Sequence, residues 1–149
     1  MTNKELLERY PWLRRYNRIT DEWMYDGSTE LDDMPDGWRA AFGEQMCEEL
    51  NNEILTWDKV VQERFRILQI KEKWGGLRFY VMSGSAKLYE IIGKYEELSR
   101  HTCIECGAPA TKISRGWISP YCDKCAQEMI DHRVGESFVP IGEYYERSN

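Results

Sequence analysis

Two Cys-x-x-Cys pairs restrict the fold of this chain more than any other feature of its sequence. The four cysteines are Cys103, Cys106, Cys122 and Cys125, and fifteen residues separate the two pairs. Zinc prefers four soft ligands in a tetrahedron, and one tight turn of the Cys-x-x-Cys type supplies two thiolates. The spacing therefore predicts a structural zinc site, in a treble-clef-like or zinc-ribbon unit over residues 101–135.

Other uses of paired cysteines fit this sequence less well. A redox pair of the thioredoxin type lies beside a βαβ pattern, whereas this chain has two pairs and no such pattern. An iron–sulfur cluster uses the same ligands and stays an alternative. A catalytic zinc keeps one coordination position open, and four thiolates close it. We therefore expect the metal to stabilise the fold and to take no part in a reaction.

The sequence carries no catalytic signature. Nucleases with two zinc knuckles need histidine or asparagine between the knuckles, and here His101 and His132 both lie outside them. Neither a phosphate-binding glycine loop nor a serine nucleophile elbow occurs, so no small-molecule substrate is indicated. Cys47 has no histidine near it in the sequence and is interpreted as a half-buried helix thiol. We expect a protein that is not an enzyme.

Segment composition indicates the compartment. The chain has no run of eighteen apolar residues, and its first residues lack the apolar stretch of a secretory signal. Four of its five cysteines lie in the two pairs, which fits metal-held thiolates in a reducing compartment better than a disulfide scaffold. We therefore expect a cytoplasmic protein with no membrane partner.

The first 100 residues predict an α+β body, a small antiparallel sheet packed with helices. A capping box begins a helix at Thr2, apolar residues recur every four positions over 37–55, and a second amphipathic helix spans 85–100. Between them, residues 65–82 read as a β-hairpin that turns at a Gly-Gly pair. The core predicted from these patterns contains Trp74, Phe79, Val81, Leu88, Ile92 and Tyr95.

The hairpin register can be deduced from the position of its turn. A turn at Gly75-Gly76 places Trp74 opposite Leu77 and sorts nearly every apolar residue to one face. After the hairpin and the metal stretch, we expect a helix from Asp123 through Val134 that stops at Gly135, followed by a loosely attached tail over 136–149.

The net charge of −6 is unevenly distributed and suggests two candidate surfaces. Residues 59–100 hold nine basic and five acidic side chains, a net charge of +4. A candidate binding surface combines basic and aromatic side chains of the hairpin and the zinc unit, namely Lys71, Lys73, Arg78, Tyr80, Lys112, Arg115, Trp117 and Tyr121. A solvated sheet face is the simpler explanation of the same charges.

The segment 20–37 carries seven acidic residues and no basic one, and it is predicted to be an exposed loop. Its acidic side chains form a second candidate surface, Asp21, Glu22, Asp26, Glu30, Asp32, Asp33 and Asp36. A dense acidic strip can imitate a phosphate backbone, and it can also lie over a basic face of its own molecule. An ordinary solvated loop is the simpler interpretation.

The order of several motifs resembles a family of small uncharacterised proteins encoded by bacteria, prophages and phages. The motifs are DGW before a helix, IKEKWGGLRFY, LSRHTCIECG, RGW and PYCDKC, and together they cover most of residues 36–126. The resemblance implies a zinc-binding protein in a bacterial or phage-infected cytoplasm, with the four paired cysteines as ligands. It implies no catalytic residue.

Together these features predict a non-enzymatic, zinc-stabilised protein that binds a macromolecule. The expected partner is a protein, and the phage setting favours a host-directed or defence-directed inhibitor. The alternative is a nucleic-acid-binding zinc protein that uses the basic hairpin face and the aromatic residues of the zinc unit.

Overall fold

The computed structural model describes residues 1–132 and 135–148. The helices are α1 Asn3–Arg9, α2 Asp36–Trp38, α3 Glu44–Ile54, α4 Lys59–Arg64, α5 Ala86–Ser99, α6 Asp123–His132 and α7 Ile141–Ser148. The strands are β1 Tyr16–Asn17, β2 Glu22–Trp23, β3 Ile67–Lys73, β4 Gly76–Val81, β5 Lys112–Ser114, β6 Pro120–Tyr121 and β7 Phe138–Pro140. Short 3₁₀ turns lie at Pro11–Leu13 and Glu30–Asp33.

The first helix begins as its sequence predicts. Thr2 caps α1 with its hydroxyl, which accepts the backbone N–H of Glu5 at 3.2 Å. The Glu5 carboxylate in turn accepts the backbone N–H of Thr2 at 2.6 Å. This reciprocal arrangement satisfies two backbone donors that the start of a helix would otherwise leave unpaired.

The long apolar helix of the body is confirmed, with one feature that the sequence did not reveal. Helices α2 and α3 are joined by a π-helical segment, Arg39–Gly43, so the helical backbone runs from Asp36 to Ile54. An apolar spacing of four drifts by about 40° per repeat on an α-helix, because one turn takes 3.6 residues. The wider π turn offsets this drift. All five stripe residues, Trp38, Phe42, Met46, Leu50 and Ile54, are consequently buried.

The hairpin β3–β4 is confirmed, but the register predicted for it is wrong. The turn consists of Trp74 and Gly75 rather than of two glycines, and Glu72 pairs with Leu77. Both turn residues have positive φ angles, 54° for Trp74 and 77° for Gly75, as a type I′ turn requires. The pairing therefore differs from the predicted one by two residues, and the apolar residues of both strands keep the face predicted for them. Trp74 lies beyond the end of β3, in the turn itself, where it is 67% exposed and not part of the core.

The rest of the predicted core is confirmed. Phe79 and Val81 of β4 are buried together with Leu88, Ile92 and Tyr95 of α5. Helix α5 begins at Ser85, whose hydroxyl accepts the backbone N–H of Leu88 at 3.1 Å, and packs against both β4 and α3. The body thus holds two two-stranded antiparallel sheets, β1–β2 and the larger β3–β4 that α5 packs against, and the predicted α+β class is correct.

The segment after residue 135 differs from the expected loose tail. Strand β7 pairs antiparallel with β5, so that Ser114 lies opposite Phe138 and Lys112 opposite Pro140. The Phe138 ring meets the ring of Tyr121 edge-on at 5.6 Å between centroids. The sequence predicts a tail here because the strand edge of β5, which the segment covers, is set by tertiary structure. The predicted end of α6 at Val134 lies outside the described residues.

The acidic segment is more ordered than a solvated loop. It contains β2 and the 3₁₀ turn Glu30–Asp33, and Thr29, Leu31 and Met34 are buried. Leu31 and Met34 join the body core and fix the backbone between them. Within the described ranges, no helix is long and apolar enough to cross a bilayer.

Candidate metal centre and adjoining surface

The four paired cysteines meet at one point of the structure. Their four sulfur atoms all lie within 4.8 Å of one another, and Cys106 Sγ is 3.7 Å from Cys122 Sγ. A tetrahedral zinc with Zn–S bonds near 2.3 Å separates its sulfur ligands by about 3.8 Å. The cluster therefore has the donor set and the dimensions of a four-thiolate metal site. Among the described residues it is the one group of three or more potential ligands that could hold a metal ion.

Two tight turns and a helix start deliver the thiols. In the first turn, the backbone N–H of Gly107 donates to the carbonyl of Cys103 at 3.0 Å, and the φ of +82° at Gly107 favours glycine. Cys122 follows β6 directly, and Cys125 lies in the first turn of α6. The carbonyl of Pro120 accepts the N–H of Ile104 at 3.0 Å, which ties the first turn to β6.

Burial and the neighbouring thiols move the pKa values of two cysteines in opposite directions. Burial raises the pKa of the Cys125 thiol, and hydrogen bonds with the other three cysteines raise it further. At Cys122 burial also raises the pKa, but the backbone N–H of Cys125 and the adjacent thiols outweigh it, so that its pKa is lowered. Metal binding to such a cluster must displace protons, and affinity therefore falls as the pH falls.

The first metal turn packs against the body at unusually short range. The backbone N–H of Gly37 donates to the carbonyl of Ile104 at 2.9 Å, and the indole N–H of Trp38 donates to the carbonyl of Thr102 at 2.9 Å. A Cβ on Gly37 would lie 2.3 Å from the carbonyl oxygen of Cys103, and one on Gly107 would lie 2.6 Å from that of Gly37. The start of α2 and the metal turn are thus in backbone contact.

A pair of exposed tryptophans lies beside the metal unit. Trp74 at the hairpin turn and Trp117 in the β5–β6 loop are 67% and 76% exposed. They line one small cavity of about 280 Å³ together with Gly116 and Ile118, and Glu72 and Lys73 lie at its side. We refer to Trp74, Gly116, Trp117 and Ile118 as the tryptophan notch. The predicted surface included Trp117 but not Trp74, because the wrong hairpin register placed Trp74 in the core.

Local contacts hold both tryptophans in place. The Glu72 carboxylate accepts the N–H of Gly75 at 2.9 Å, which supports the hairpin turn. A Cβ on Gly75 would lie 3.3 Å from the carbonyl oxygen of Ile118, so the turn lies directly against the β5–β6 loop. In that loop, the buried Ser114 hydroxyl donates to the carbonyl of Trp117 and accepts the N–H of Ser119 at 3.0 Å.

The predicted basic surface is gathered on the outer face of the hairpin and near the notch. Lys71 lies directly opposite Arg78, and the Lys71 ammonium is 5.8 Å from the centre of the Tyr80 ring. Lys73 and Arg115 are exposed, whereas Lys112 is half-buried on the central strand β5. Tyr121 was predicted at this surface, but it is buried against Phe138 and forms part of the metal unit's own core.

Arg100 is a basic residue that the predicted surface omits. Its guanidinium and that of Arg78 both approach Gly76, within 3.4 Å of the position that a Cβ would take there. The two guanidinium groups therefore lie next to the space that a side chain at residue 76 would occupy. Glu97 lies 3.6 Å from the Arg100 Nε. Their proximity depends on α5 lying across β4, a packing that no local sequence pattern reveals.

The predicted acidic surface is not one continuous strip. Arg15 binds Asp33 through two hydrogen bonds of 2.9 and 3.0 Å, and Arg39 binds Asp32 at 2.9 Å. Glu30 is buried. Asp26 closes a local turn by accepting the N–H of Ser28 at 3.0 Å. Asp21 accepts a hydrogen bond from the Tyr16 hydroxyl. Glu22 is exposed on β2, and Asp36 is exposed at the first position of α2.

The remaining candidate residues lie away from the metal cluster. His101 is exposed, 3.4 Å from a Glu97 oxygen, and its ring packs near Tyr145 at 5.1 Å between centroids. His132 is exposed at the end of α6. Cys47 is fully buried rather than half-buried, and burial raises the pKa of its thiol to about 12. A thiol with such a pKa is no nucleophile at neutral pH.

No protein-family model, no curated protein and no solved structure matches this chain. The resemblance to the bacterial and phage family therefore rests on the motifs alone. The part of it that the structure bears out is the cluster of four cysteines.

Proposed function

We propose that this chain is a non-enzymatic, zinc-stabilised protein that binds another protein through the tryptophan notch. The observation that carries the proposal is the convergence of Trp74 and Trp117, both mostly exposed, from two separate units of the fold. Tryptophan is the residue most enriched at the energetic centres of protein interfaces. Two of them around one recess form the kind of pocket that accepts an apolar side chain of a partner.

The conformation of Trp74 supports this interpretation. A bulky residue at positive φ is uncommon and costs of the order of 1 kcal/mol, and a glycine in its place would relieve the strain. The strained turn holds the Trp74 indole mostly in solvent, outside the hydrophobic core. Strain of this kind clusters at binding sites.

The metal would have a supporting role. Four thiolates complete a tetrahedral zinc and leave no open position for a substrate or water. Zinc would therefore act by holding Cys103 and Cys122 together and, through β6 and its loop, by fixing Trp117 next to Trp74. An inhibitor of a host or defence protein would need only such a rigid surface.

The charges around the notch favour an acidic partner. Lys73 and Arg115 are exposed and form no ion pair with any described residue, and Arg78 and Arg100 lie close behind them at Gly76. Complementary charge speeds association and selects partners more than it adds affinity. The partner segment we propose combines an apolar side chain for the notch with neighbouring Asp or Glu residues.

Nucleic acid is the second candidate partner, and one observation favours it. Lys71 and Arg78 are paired across the hairpin although like charges opposite one another destabilise a sheet. With Tyr80 beside them they offer phosphate contacts and a stacking ring. A single-stranded segment could extend from this face to the tryptophans.

A pull-down with matched variants separates the two candidates. Zinc-loaded protein is used as bait in bacterial lysate, with and without nuclease treatment, beside Trp74→Ala/Trp117→Ala and the control Tyr89→Ala. Tyr89 is also half-exposed but lies on α5, outside the notch. We expect a stoichiometric protein that survives nuclease, is retained by the control and is lost by the double variant.

Two results would overturn the protein-binding proposal. One is recovery of nucleic acid, or of proteins only through it, with binding that weakens steeply as salt rises. The other is a protein partner that the double tryptophan variant still retains. Reversal of charge at Lys71 and Arg78 should abolish binding if the partner is a nucleic acid. It should leave binding largely intact if the partner is a protein held at the notch.

Metal analysis tests the zinc itself. We expect one zinc per chain by mass spectrometry of the purified protein, and close to none after Cys106→Ser. Cys47→Ala is the matched control, because that thiol is buried in the body and outside the cluster. Iron with sulfide in place of zinc would contradict the assignment.

A further inference from the structure

A second recess in the body lies apart from the metal unit and the tryptophan notch. It lies between the Pro11–Leu13 turn, β2, the end of α3 and α4, and its volume is about 610 Å³. This is within the usual range of small-molecule sites, about 300–1,000 Å³. Four aromatic rings line it, from Trp12, Trp23, Tyr25 and Phe65. We refer to it as the aromatic cavity.

The inner wall of the aromatic cavity is rigid. The indole N–H of Trp12 donates to the Asn51 side-chain oxygen at 3.0 Å. The ring of Phe65 meets Trp12 edge-on at 5.8 Å and Trp57 edge-on at 5.7 Å between centroids. Trp12 and Phe65 are both buried, so a ligand ring would meet a surface that is already ordered and already partly desolvated.

Two stacked guanidinium groups form the outer wall of the aromatic cavity. The Arg14 guanidinium lies 4.4 Å from the centre of the Tyr25 ring and donates to the carbonyl of Met24 at 3.3 Å. The Arg66 guanidinium lies beside two rings that contact each other edge-on, and its Nη1 donates to two backbone carbonyls at 2.7 and 2.8 Å. Stacking orients a cation, and Arg14, with one backbone contact, retains more N–H groups for an anion than Arg66 does.

The cations of the aromatic cavity are not neutralised by the protein. Arg14, Lys59 and Arg66 form no ion pair within the part of the chain that the structure describes, and Arg9 has only a long contact of 3.9 Å to Glu48. Glu63 is the single carboxylate that lines the cavity. In a protein with a net charge of −6, four cations around one aromatic recess are a marked local reversal of charge.

We propose that the aromatic cavity binds a small aromatic anion, with the ligand ring between Trp12 and Tyr25 and its negative group at Arg14 and Lys59. A nucleoside monophosphate and an aromatic carboxylic acid share this chemistry. The cavity shares no lining residue with the tryptophan notch, so this inference is independent of the proposed function. It gives the chain a small-molecule site that its sequence motifs do not reveal.

Competition binding tests the proposal on the whole zinc-loaded protein. Anilinonaphthalene sulfonate, an aromatic anion whose fluorescence rises on binding, serves as the reporter. Four competitors are titrated against it in parallel: adenosine monophosphate, indoleacetate, neutral adenosine and inorganic phosphate. We expect at least one of the two aromatic anions to compete about tenfold better than adenosine or phosphate, since only they supply both contacts.

Variants locate the site. Arg14→Gln/Lys59→Gln should weaken reporter binding by about tenfold or more, and Tyr25→Ala, which removes a 79% exposed ring, should weaken it with no cost to folding. Lys4→Gln, on α1 and outside the cavity, and Trp74→Ala/Trp117→Ala should leave binding unchanged. Stronger competition by adenosine monophosphate would identify a nucleotide, and stronger competition by indoleacetate an aromatic acid.

Three results would overturn the proposal. They are reporter binding that Tyr25→Ala and the double cation variant leave unchanged, competition by adenosine or phosphate as strong as that of both aromatic anions, and loss of binding in the tryptophan-notch variant alone. Circular dichroism of each variant shows whether a loss of binding reflects the site or the fold.

Discussion

At the scale of single residues, Glu30 shows how the fold alters a charged side chain. It belongs to the acidic segment, but only 9% of it is exposed, because the turn that carries it packs Leu31 into the core. Burial raises the pKa of Glu30 to about 6, against the opposing effect of Arg15. The folded protein thus holds this proton more tightly than the unfolded chain, whose pKa is near 4.5. Its contribution to stability is complete below pH 4.5 and is lost as the pH rises through 6.

Glu30→Gln should therefore stabilise the protein at neutral pH. We expect the free energy of unfolding to rise by about 1 kcal/mol at pH 7, because the variant buries no charge, and to change little at pH 4. Urea unfolding at the two pH values measures both. Glu22→Gln, an exposed neighbour, is the control and should have little effect at either pH. A gain that is equal at pH 4 and pH 7 would contradict the argument.

At the scale of elements, the contact between α2 and the first metal turn has no room for a side chain. Gly37 and Gly107 face each other across it, and the carbonyl oxygens of Cys103 and Ile104 lie within 2.5 Å of the position of a Gly37 Cβ. Backbone atoms cannot move aside as the end of a long side chain can. The contact therefore transmits a change in α2 to the metal turn.

Gly37→Ala should be strongly destabilising, by about 3 kcal/mol or more, and should also weaken zinc binding. Gly93→Ala is the matched control, since Gly93 lies in α5 with nothing within 4 Å of its Cβ position. It should stabilise the protein by about 0.5–1 kcal/mol, the usual gain in helix propensity. Thermal unfolding and competition with a zinc chelator measure the two effects. Equal stability of the two variants would show that α2 and the metal turn are not in tight contact.

Elements with a single local cause were predictable from the sequence, and those that depend on tertiary contacts were not. The capping box at Thr2 and the apolar stripe from Trp38 to Ile54 can be recognised from local spacing, although the π-helical segment that keeps the whole stripe buried cannot. The hairpin turn does not. Gly-Gly is the favoured local choice, but the carbonyl of Ile118 lies against Gly75, and two arginines fill the space at Gly76. These distant contacts select the turn at Trp74.

At the scale of the whole molecule, the clustering of the four cysteines was predictable, because a Cys-x-x-Cys spacing places two thiols on one tight turn. The surface was predicted less well. The predicted turn lies one residue too far along the chain, which leaves Trp74 in a strand and in the core. No local pattern indicates that Phe138, seventeen residues later, covers Tyr121. The aromatic cavity escaped prediction because its residues come from five separate elements.

Metal removal should separate the two parts of the molecule. We expect chelation to unfold the three-stranded sheet β5–β6–β7, because zinc supplies on the order of 10 kcal/mol of folding free energy to such sites. The body should stay folded, since its core contains no metal ligand, but its Tm should fall as the Trp38 to Thr102 hydrogen bond is lost. Hydrogen exchange on peptides from residues 103–125 and 65–99 follows the two parts separately.

Partner binding should disappear with the metal, although no partner contact involves zinc itself. Binding of the aromatic reporter in the body should survive the same treatment. Simultaneous unfolding of both segments on chelation would contradict this picture.

The two tryptophans of the notch also imply an order of events during synthesis. Trp74 leaves the ribosome some fifty residues before Cys125, the last of the four thiols, so the hairpin can form long before the metal site can close. Until then Trp117 has no fixed position, and half of the notch is missing. A growing chain would thus have no complete notch to offer a partner, and recognition would begin only after the metal has been bound.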